Sequence, residues 1–345
     1  MAKENMAKTK CEGCGFYLEF DPKTQKLVCP HCSRSVEIFG VPFVKNKTEF
    51  TSTSAPIENK EFTNTFRCSA CGANIETKHS KIVSVCPYCG STNLETVEDS
   101  MKYIPDAIIP FKVDKNKAVA CYAEWIKKRH FAPNNLKKFA RMDTLQGKYI
   151  PSWVFDTHVF TEYSGVGVNT RRSNGKTYTS RYPFSGTKTT DYKNFYVNAD
   201  PMRMPDIGFR KLGDFGFDAN LKVFSTEYIM GFLTSNVSQD LQVSHLEAQK
   251  AMQSEIDQKI RSSKHYDRIE WYNSSHKFSD TKWMLAYLPV WVSKFVYRNK
   301  EYNFYVNGAT GEVVGKSPKS FWKIFFVVLF IIAILAGIFY LEYNS

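Results

Sequence analysis

Residues 324–341 read IFFVVLFIIAILAGIFYL, eighteen uncharged and almost wholly apolar positions in a row. As a helix rising ~1.5 Å per residue they extend about 27 Å, close to the ~30 Å hydrocarbon core of a bilayer. The run is apolar on every side, unlike the one-sided stripe of a helix lying on a soluble core. Trp322 and Tyr340 stand near its ends, where amphipathic rings prefer the membrane interface. A C-terminal transmembrane helix is expected over 324–341.

Elsewhere the apolar positions are periodic. Asp114 can cap a helix that carries Ala118, Cys121, Tyr122 and Trp125 along one stripe. This puts Cys121 on the core face, as a packed thiol rather than a nucleophile. Ser244 and Glu247 have capping-box spacing before a helix running to about Ile260, with Ala248, Met252, Ile256 and Ile260 on one side. After Tyr149, the residues Trp153, Phe155, Thr157, Val159, Thr161 and Tyr163 alternate onto one face of a strand. His158 falls on the opposite face. Further on, KFVYRNKEYNFYVNGATGEVVG predicts a strand, a turn at Arg298–Glu301, a strand at Tyr302–Val306, a turn at Asn307–Gly308 and a third strand.

Two of these blocks begin alike. YIPSWVF starts at Tyr149 and YLPVWVS at Tyr287, and each follows a predicted helix and opens a strand-rich stretch. Residues 100–316 are read as one α+β domain with an antiparallel sheet, made from two related halves at about 100–200 and 201–316.

Composition adds an asymmetry. Residues 1–100 carry 12 Lys+Arg and 12 Asp+Glu, so the whole formal charge of +12 lies in the remainder. Between Lys112 and Lys148 there are 10 Lys+Arg against 3 Asp+Glu, and Arg171, Arg172, Lys176 and Arg181 add a basic hairpin. Three readings of this charge remain open. It can be ordinary solvated surface, a face attracted to an anionic leaflet at up to ~1 kcal/mol per cation, or a nucleic-acid contact. Lys316, Lys319 and Lys323 precede the apolar run, and Glu342 follows it. The positive-inside rule then makes this a single-pass tail anchor in the cell membrane, with the bulk of the chain cytoplasmic and the C-terminus outside.

The opening MAKENMAKTK has no apolar run, so no secretory leader is expected. In a reducing compartment, paired cysteines mean metal more often than disulfide. Eight of the nine cysteines fall in C-x-x-C pairs. Cys11, Cys14, Cys29 and Cys32 form one quartet. Cys68, Cys71, Cys86 and Cys89 form another, each 57 positions after its counterpart. Two such turns facing one another make a tetrahedral four-thiolate site. Two structural Zn²⁺ ions are therefore expected, in ribbons at 8–40 and 65–99 joined by a flexible linker at 41–64. Disulfides and rubredoxin-like iron are the alternatives. Four thiolates leave no open coordination position, so neither metal is given catalysis, and His31 inside CPHC is read as a surface residue. Each four-thiolate centre adds about two negative charges. The ribbons are thus acidic overall, which suits a protein partner better than nucleic acid.

The stretch GEVVGKS resembles a phosphate loop but misses it. The pattern G-x-x-x-x-G-K-[ST] needs a glycine where Thr310 stands, and Pro318 follows at once. His130, His158 and His245 occur singly. The expectation is a non-enzyme with no catalytic residue and no organic cofactor.

The tandem ribbons, IIPFKV, KKRHFAPNNLKK, GKYIPSWVFD, LPVWV and FYVNGATGEVVGKSPKS together resemble a bacterial, mainly Firmicute, family of zinc-ribbon membrane proteins. This family is YdjG-like, and its members are often labelled TFIIB-type zinc-ribbon proteins or relatives of the primosomal helicase. The VNGATGEVVG segment is also similar to PepSY domains. The resemblance implies a membrane-anchored adaptor in envelope stress, recruiting a protein partner such as a PspA-type ESCRT-III-like protein. The alternative is a membrane-tethered nucleic-acid-binding factor related to DNA replication. No Walker motif accompanies the helicase label.

Overall fold

The alternating stretch that opens at Tyr149 runs far longer than an ordinary hairpin strand. The computed structural model of the chain describes residues 10–43, 47–58, 63–68, 74–78, 94–97, 103–133, 145–201, 209–297 and 300–343. Strands β1 (Glu19–Asp21), β2 (Lys26–Val28) and β3 (Ser35–Val36) form a small sheet, and β4 (Thr48–Glu49) follows. A second small sheet joins β5 (Thr63–Cys68), β6 (Asn74–Lys78) and β7 (Leu94–Val97). The body then contains β8 (Ala107–Ile108), α1 (Lys115–Lys127), β9 (Gln146–Ser173), β10 (Lys176–Asn198) and a single-turn helix α2 (Phe217–Asn220). It continues through β11 (Lys222–Val223), β12 (Leu233–Thr234), α3 (Leu241–Ser262), β13 (Arg268–Tyr297), β14 (Lys300–Asn307) and β15 (Val313–Gly315). Helix α4 (Phe321–Tyr343) comes last.

The main sheet runs β10-β9-β13-β14-β15, all antiparallel. Its central pair is β9, with 28 residues, and β13, with 30. The two Tyr-x-Pro blocks lie directly across this pair, Tyr149 opposite Pro289 and Pro151 opposite Tyr287. Each central strand also takes a short parallel partner, β12 on β9 at Lys148 and Tyr149, and β8 on β13 at Ala286 and Tyr287. The sheet is therefore mixed, within an α+β body.

The contacts around these blocks come in matching pairs. Trp153 Nε1 donates to Gln239 O at 3.1 Å, one residue before Asp240, the cap of α3. Trp291 Nε1 donates to Val113 O at 2.7 Å, one residue before Asp114, the cap of α1. Each tryptophan stands opposite a valine of the pentapeptide NFYVN, which occurs at 194–198 and again at 303–307. The pairs are Trp153 with Val197 and Trp291 with Val306. Asn198 and Asn307 each accept, on Oδ1, the N–H two residues on. Ala199 N–H donates to Pro151 O, and Gly308 N–H to Pro289 O. The indoles are buried, so each N–H needs a partner, and a backbone carbonyl beside a helix start supplies it.

Past this core, β9, β10 and β13 continue as an arm. Helix α3 braces one face of it. Its buried stripe Leu241, Ala248 and Met252 packs on Trp153 and Phe155, and Ile256 and Ile260 pack on Val159. The alternation expected after Tyr149 holds, with Trp153, Phe155, Thr157, Val159 and Thr161 buried on the braced face. His158 faces solvent opposite them and pairs with Asp191 at 2.5 Å. Glycines let aromatic rings lie flat on the strands, and a Cβ at Gly167 would come within 2.0 Å of the Tyr266 ring. The arm ends in a two-residue turn, Asn174 and Gly175, both with positive φ (49° and 72°), the pattern of a type I′ hairpin.

The chain leaves the sheet at the other end. Strand β15 is antiparallel to β14 and so runs the same way as β13, away from the arm tip. Helix α1 points the same way, its Tyr122 stacked on Phe304 with centroids 3.8 Å apart. Ser320 N–H then donates to Phe131 O just past α1, and α4 begins. Its segment Phe321–Phe339 has mean hydropathy 2.7 with no part buried, long and apolar enough to cross a membrane.

Several local expectations change. Helix α3 begins at Leu241, earlier than the Ser244–Glu247 box, because Asp240 Oδ1 accepts the Gln242 N–H and Ser244 is buried inside the first turns. The turn at Asn307–Gly308 is wider than expected. Asn307 Oδ1 holds the Ala309 and Thr310 N–H groups, and Gly311 turns the chain at φ 86°. The turn expected at Arg298–Glu301 is shorter, since Tyr297 already pairs with Lys300, and residues 298 and 299 lie outside the described ones. Segment 41–64, expected as a flexible linker, lies along the body where it is described. Its β4 pairs with β13, Lys47 pairs with Asp156 at 2.5 Å, and Phe50 sits between Phe155 and His245. Phe43 and Phe50 supply apolar anchors that the Ser/Thr-rich composition obscures.

Candidate metal centre

Cys11, Cys14, Cys29 and Cys32 converge, with all four Sγ atoms within 4.8 Å of one another. The closest pairs are Cys14–Cys29 at 3.4 Å, Cys11–Cys32 at 3.5 Å and Cys14–Cys32 at 3.6 Å. These distances far exceed the ~2.05 Å of a disulfide. They are near the ~3.8 Å edge of a tetrahedron of thiolates about 2.3 Å from a central ion. The donor set is soft and complete, and it can hold one metal ion with no open position.

Two matching turns bring the thiols together. Gly15 N–H donates to Cys11 O, and Ser33 N–H donates to Cys29 O. The residue after each second cysteine has positive φ, Gly15 at 72° and Ser33 at 60°. Glycine accepts that conformation freely, whereas serine adopts it at a cost. The backbone N–H of Gly13 draws the Cys11 thiol down to about 7, and that of Cys32 lowers Cys29. Cys14 feels a similar pull from the Phe16 N–H, but its Cys29 and Cys32 neighbours push it up to about 12. Four thiols this close cannot all ionise unless a cation joins them. Arg34 adds a cation nearby, its Nη1 3.3 Å from where a side chain on Gly13 would begin. His31 is exposed and stacks on Phe16, apart from the thiol set.

The centre is joined to the body. Cys11, Cys29, Leu18, Phe20 and Leu27 share one buried cluster with Phe111, Tyr149, Tyr287, Trp291 and Phe304. Phe20 meets Tyr228 edge-on at 5.5 Å, and its N–H donates to Met230 O. Gln25 Nε2 reaches Phe111 O at 2.7 Å, and Lys23 pairs with the cap residue Asp114 at 3.6 Å. Burying one Leu or Phe side chain stabilises by about 1.5–3 kcal/mol, so this docking is substantial. The alternation of Leu18 and Phe20 was its only signal in the sequence.

Of the second quartet, Cys68 ends β5, and Cys71, Cys86 and Cys89 lie outside the described residues. The backbone of this region repeats one feature of the first. Lys10 bridges Tyr17, and 57 positions later Arg67 pairs with Asn74.

No protein-family model matches the chain, and no solved structure matches it. One comparison does succeed. The chain is similar to YdjG. That protein, of Bacillus subtilis (strain 168) and named uncharacterized protein YdjG, is 28% identical to it over 326 residues, covering 91% of each chain.

Proposed function

We propose that this chain is a non-enzymatic, membrane-anchored adaptor. Its ribbons each hold a structural Zn²⁺ and capture a protein partner at the cytoplasmic face of the cell membrane, in the membrane-stress role that the family resemblance implies. The observation that carries this reading is the continuity of the thiol site, sheet and anchor. Cys11 and Cys29 share a core with Phe304 and Val306, and the strand after them leads through β15 into α4. An ion there braces a unit that is held at the bilayer. Four thiolates suit zinc, and they leave it nothing to catalyse with.

The orientation follows from charge. Lys316, Lys319 and Lys323 precede α4. Lys323 Nζ is bound by the carbonyls of His130 and Ala132, just after Lys127, Lys128 and Arg129. This end of the body lies against an anionic cytoplasmic leaflet. The α+β body is a duplication of a strand, helix, long strand and return strand. The paired NFYVN segments, the paired indole-to-cap bonds and the two parallel edge strands support this. The second ribbon repeats the first at an offset of 57.

Affinity capture of the full-length protein from membranes tests the adaptor reading. Cys14→Ser and Cys71→Ser are expected to abolish partner capture while the protein stays in the membrane fraction. Full capture by the metal-free double variant would overturn it.

A further inference from the structure

From the tip of the arm we infer a second activity, independent of partner capture by the ribbons: the β9–β10 hairpin end is a two-stranded ribbon that enters the major groove of double-stranded DNA. Strand β13 joins the arm only as far as Arg268, opposite Val168, and Asp267 still bonds Asn169 and Thr170, so residues 171–178 project beyond it as two strands. The turn is open among the described residues: a Cβ on Gly175 would meet no atom of them within 4 Å.

The hairpin's own charge is one-sided, with the Asp267 carboxylate at its base, accepting the Thr170 N–H at 2.6 Å. Residues 163–190 contain no Asp or Glu, while Arg171, Arg172, Lys176, Arg181 and Lys188 are basic. Arg181 is engaged with Glu270 at 2.7 Å. The cations are divided between the two faces. Arg171 and Arg172 are adjacent and point to opposite sides of the ribbon. Lys176 sits across from Ser173 and so joins the face of Arg171, and Arg181 sits across from Val168 and joins that of Arg172. Tyr178, 57% exposed, lies across from Arg171.

A flat acidic surface or a lipid leaflet meets one face of a ribbon, and the other face's cations gain nothing. A groove has two walls of phosphate and uses both. The major groove of B-DNA is about 12 Å wide and admits a two-stranded ribbon. Duplex RNA closes the corresponding groove to side chains. The tip is also at the far end of the sheet from α4. At about 3.3 Å per residue β9 alone is roughly 90 Å long, so the leaflet that holds the anchor is out of its reach.

The test uses full-length protein in nanodiscs of phosphatidylcholine, titrated against a fluorescent ~20-base-pair duplex over a salt series. The wild type should lose affinity by about 100-fold between roughly 50 and 200 mM salt, as about four phosphate contacts at ~0.9 counterion each require. The triple variant Arg171→Ala/Arg172→Ala/Lys176→Ala should bind at least 10-fold more weakly at low salt, with its log–log slope reduced by about 3. Lys115→Ala/Lys117→Ala, a basic pair away from the tip, should bind as the wild type does. An unchanged triple variant, or an absence of duplex binding by the wild type, overturns the inference. So does equal or tighter binding to duplex RNA, or tip-dependent binding to phosphatidylglycerol vesicles in place of DNA.

Discussion

Two joints in the body share one geometry and carry different things. In each, a buried indole reaches the carbonyl just before an Asp-capped helix. Around the joint of Trp291, α1 has 13 residues, β14 has 8, and the free surface is covered by the thiol centre. Around the joint of Trp153, α3 has 22 residues and β10 has 23, and together they carry the arm. The shared geometry is at the joints, and the differences lie outside them. One joint carries short elements and is covered by the thiol-bearing ribbon, and the other carries long ones braced by α3.

The largest expected effect comes from removing the metal, because the brace belongs to only one joint. Structural zinc in small domains contributes on the order of 10 kcal/mol of binding free energy. Chelation, or Cys29→Ser, should release Leu18, Phe20 and Leu27 from the cluster that contains Trp291. Hydrogen exchange should then speed up in α1, β14 and β15 while α3 and the arm keep their protection. Equal loosening around both joints would mean that the centre is not a brace for one of them.

The joints themselves come next. Trp153→Ala and Trp291→Ala each remove a buried aromatic and one hydrogen bond, and each should cost about 3–5 kcal/mol in denaturant unfolding of the full-length protein. Near-equal losses would sharpen the comparison. In addition, Trp291→Ala should weaken metal retention and Trp153→Ala should not, because only Trp291 shares a cluster with Cys11 and Cys29. A smaller effect is confined to the arm. Ile256→Ala, on the stripe against Val159, should cost about 2–4 kcal/mol. It should raise exchange between residues 157 and 192 without touching the base.

How much of this was legible in the sequence depends on the range over which each feature acts. The apolar run of α4, the Asp114 cap, the stripe of α3 and the first thiol quartet are local patterns, and the structure bears them out. The start of α3 was misplaced because Asp240 and Ser244 both offer capping oxygens, and only the burial of Ser244 decides between them. The docking of the ribbon and of segment 41–58 depends on Phe20, Phe43 and Phe50 meeting surfaces about one to two hundred residues away, which no local pattern encodes. The length of the arm was hidden for a different reason. Its residues alternate well enough to be strand, but Gly165, Gly167, Pro183 and Gly186 look like breaks until aromatic rings are seen lying over the glycines. The repeated NFYVN was readable throughout, and it marks the matching return strands more sharply than the Tyr-Pro-Trp blocks do.

The smallest effect is the most discriminating. Asp114 and Asp240 do the same work, each accepting an N–H of the first turn, from Lys117 at 3.0 Å and from Gln242 at 2.8 Å. Replacing such a cap with alanine costs about 1 kcal/mol. If the joints were equivalent in every respect, Asp114→Ala and Asp240→Ala would match. Asp114, however, also pairs with Lys23 of the thiol-centre ribbon, a partly exposed contact worth at most about 1 kcal/mol. It also starts the shorter helix, which has fewer turns to hold it once its first turn frays. Asp114→Ala should therefore destabilise slightly more than Asp240→Ala in thermal unfolding of the metal-loaded protein. The difference should shrink in Lys23→Ala, whose partner is gone, and in high salt, which screens the pair. A difference that survives both treatments would belong to helix length alone, and the ribbon would then brace its half through apolar contact and not through charge.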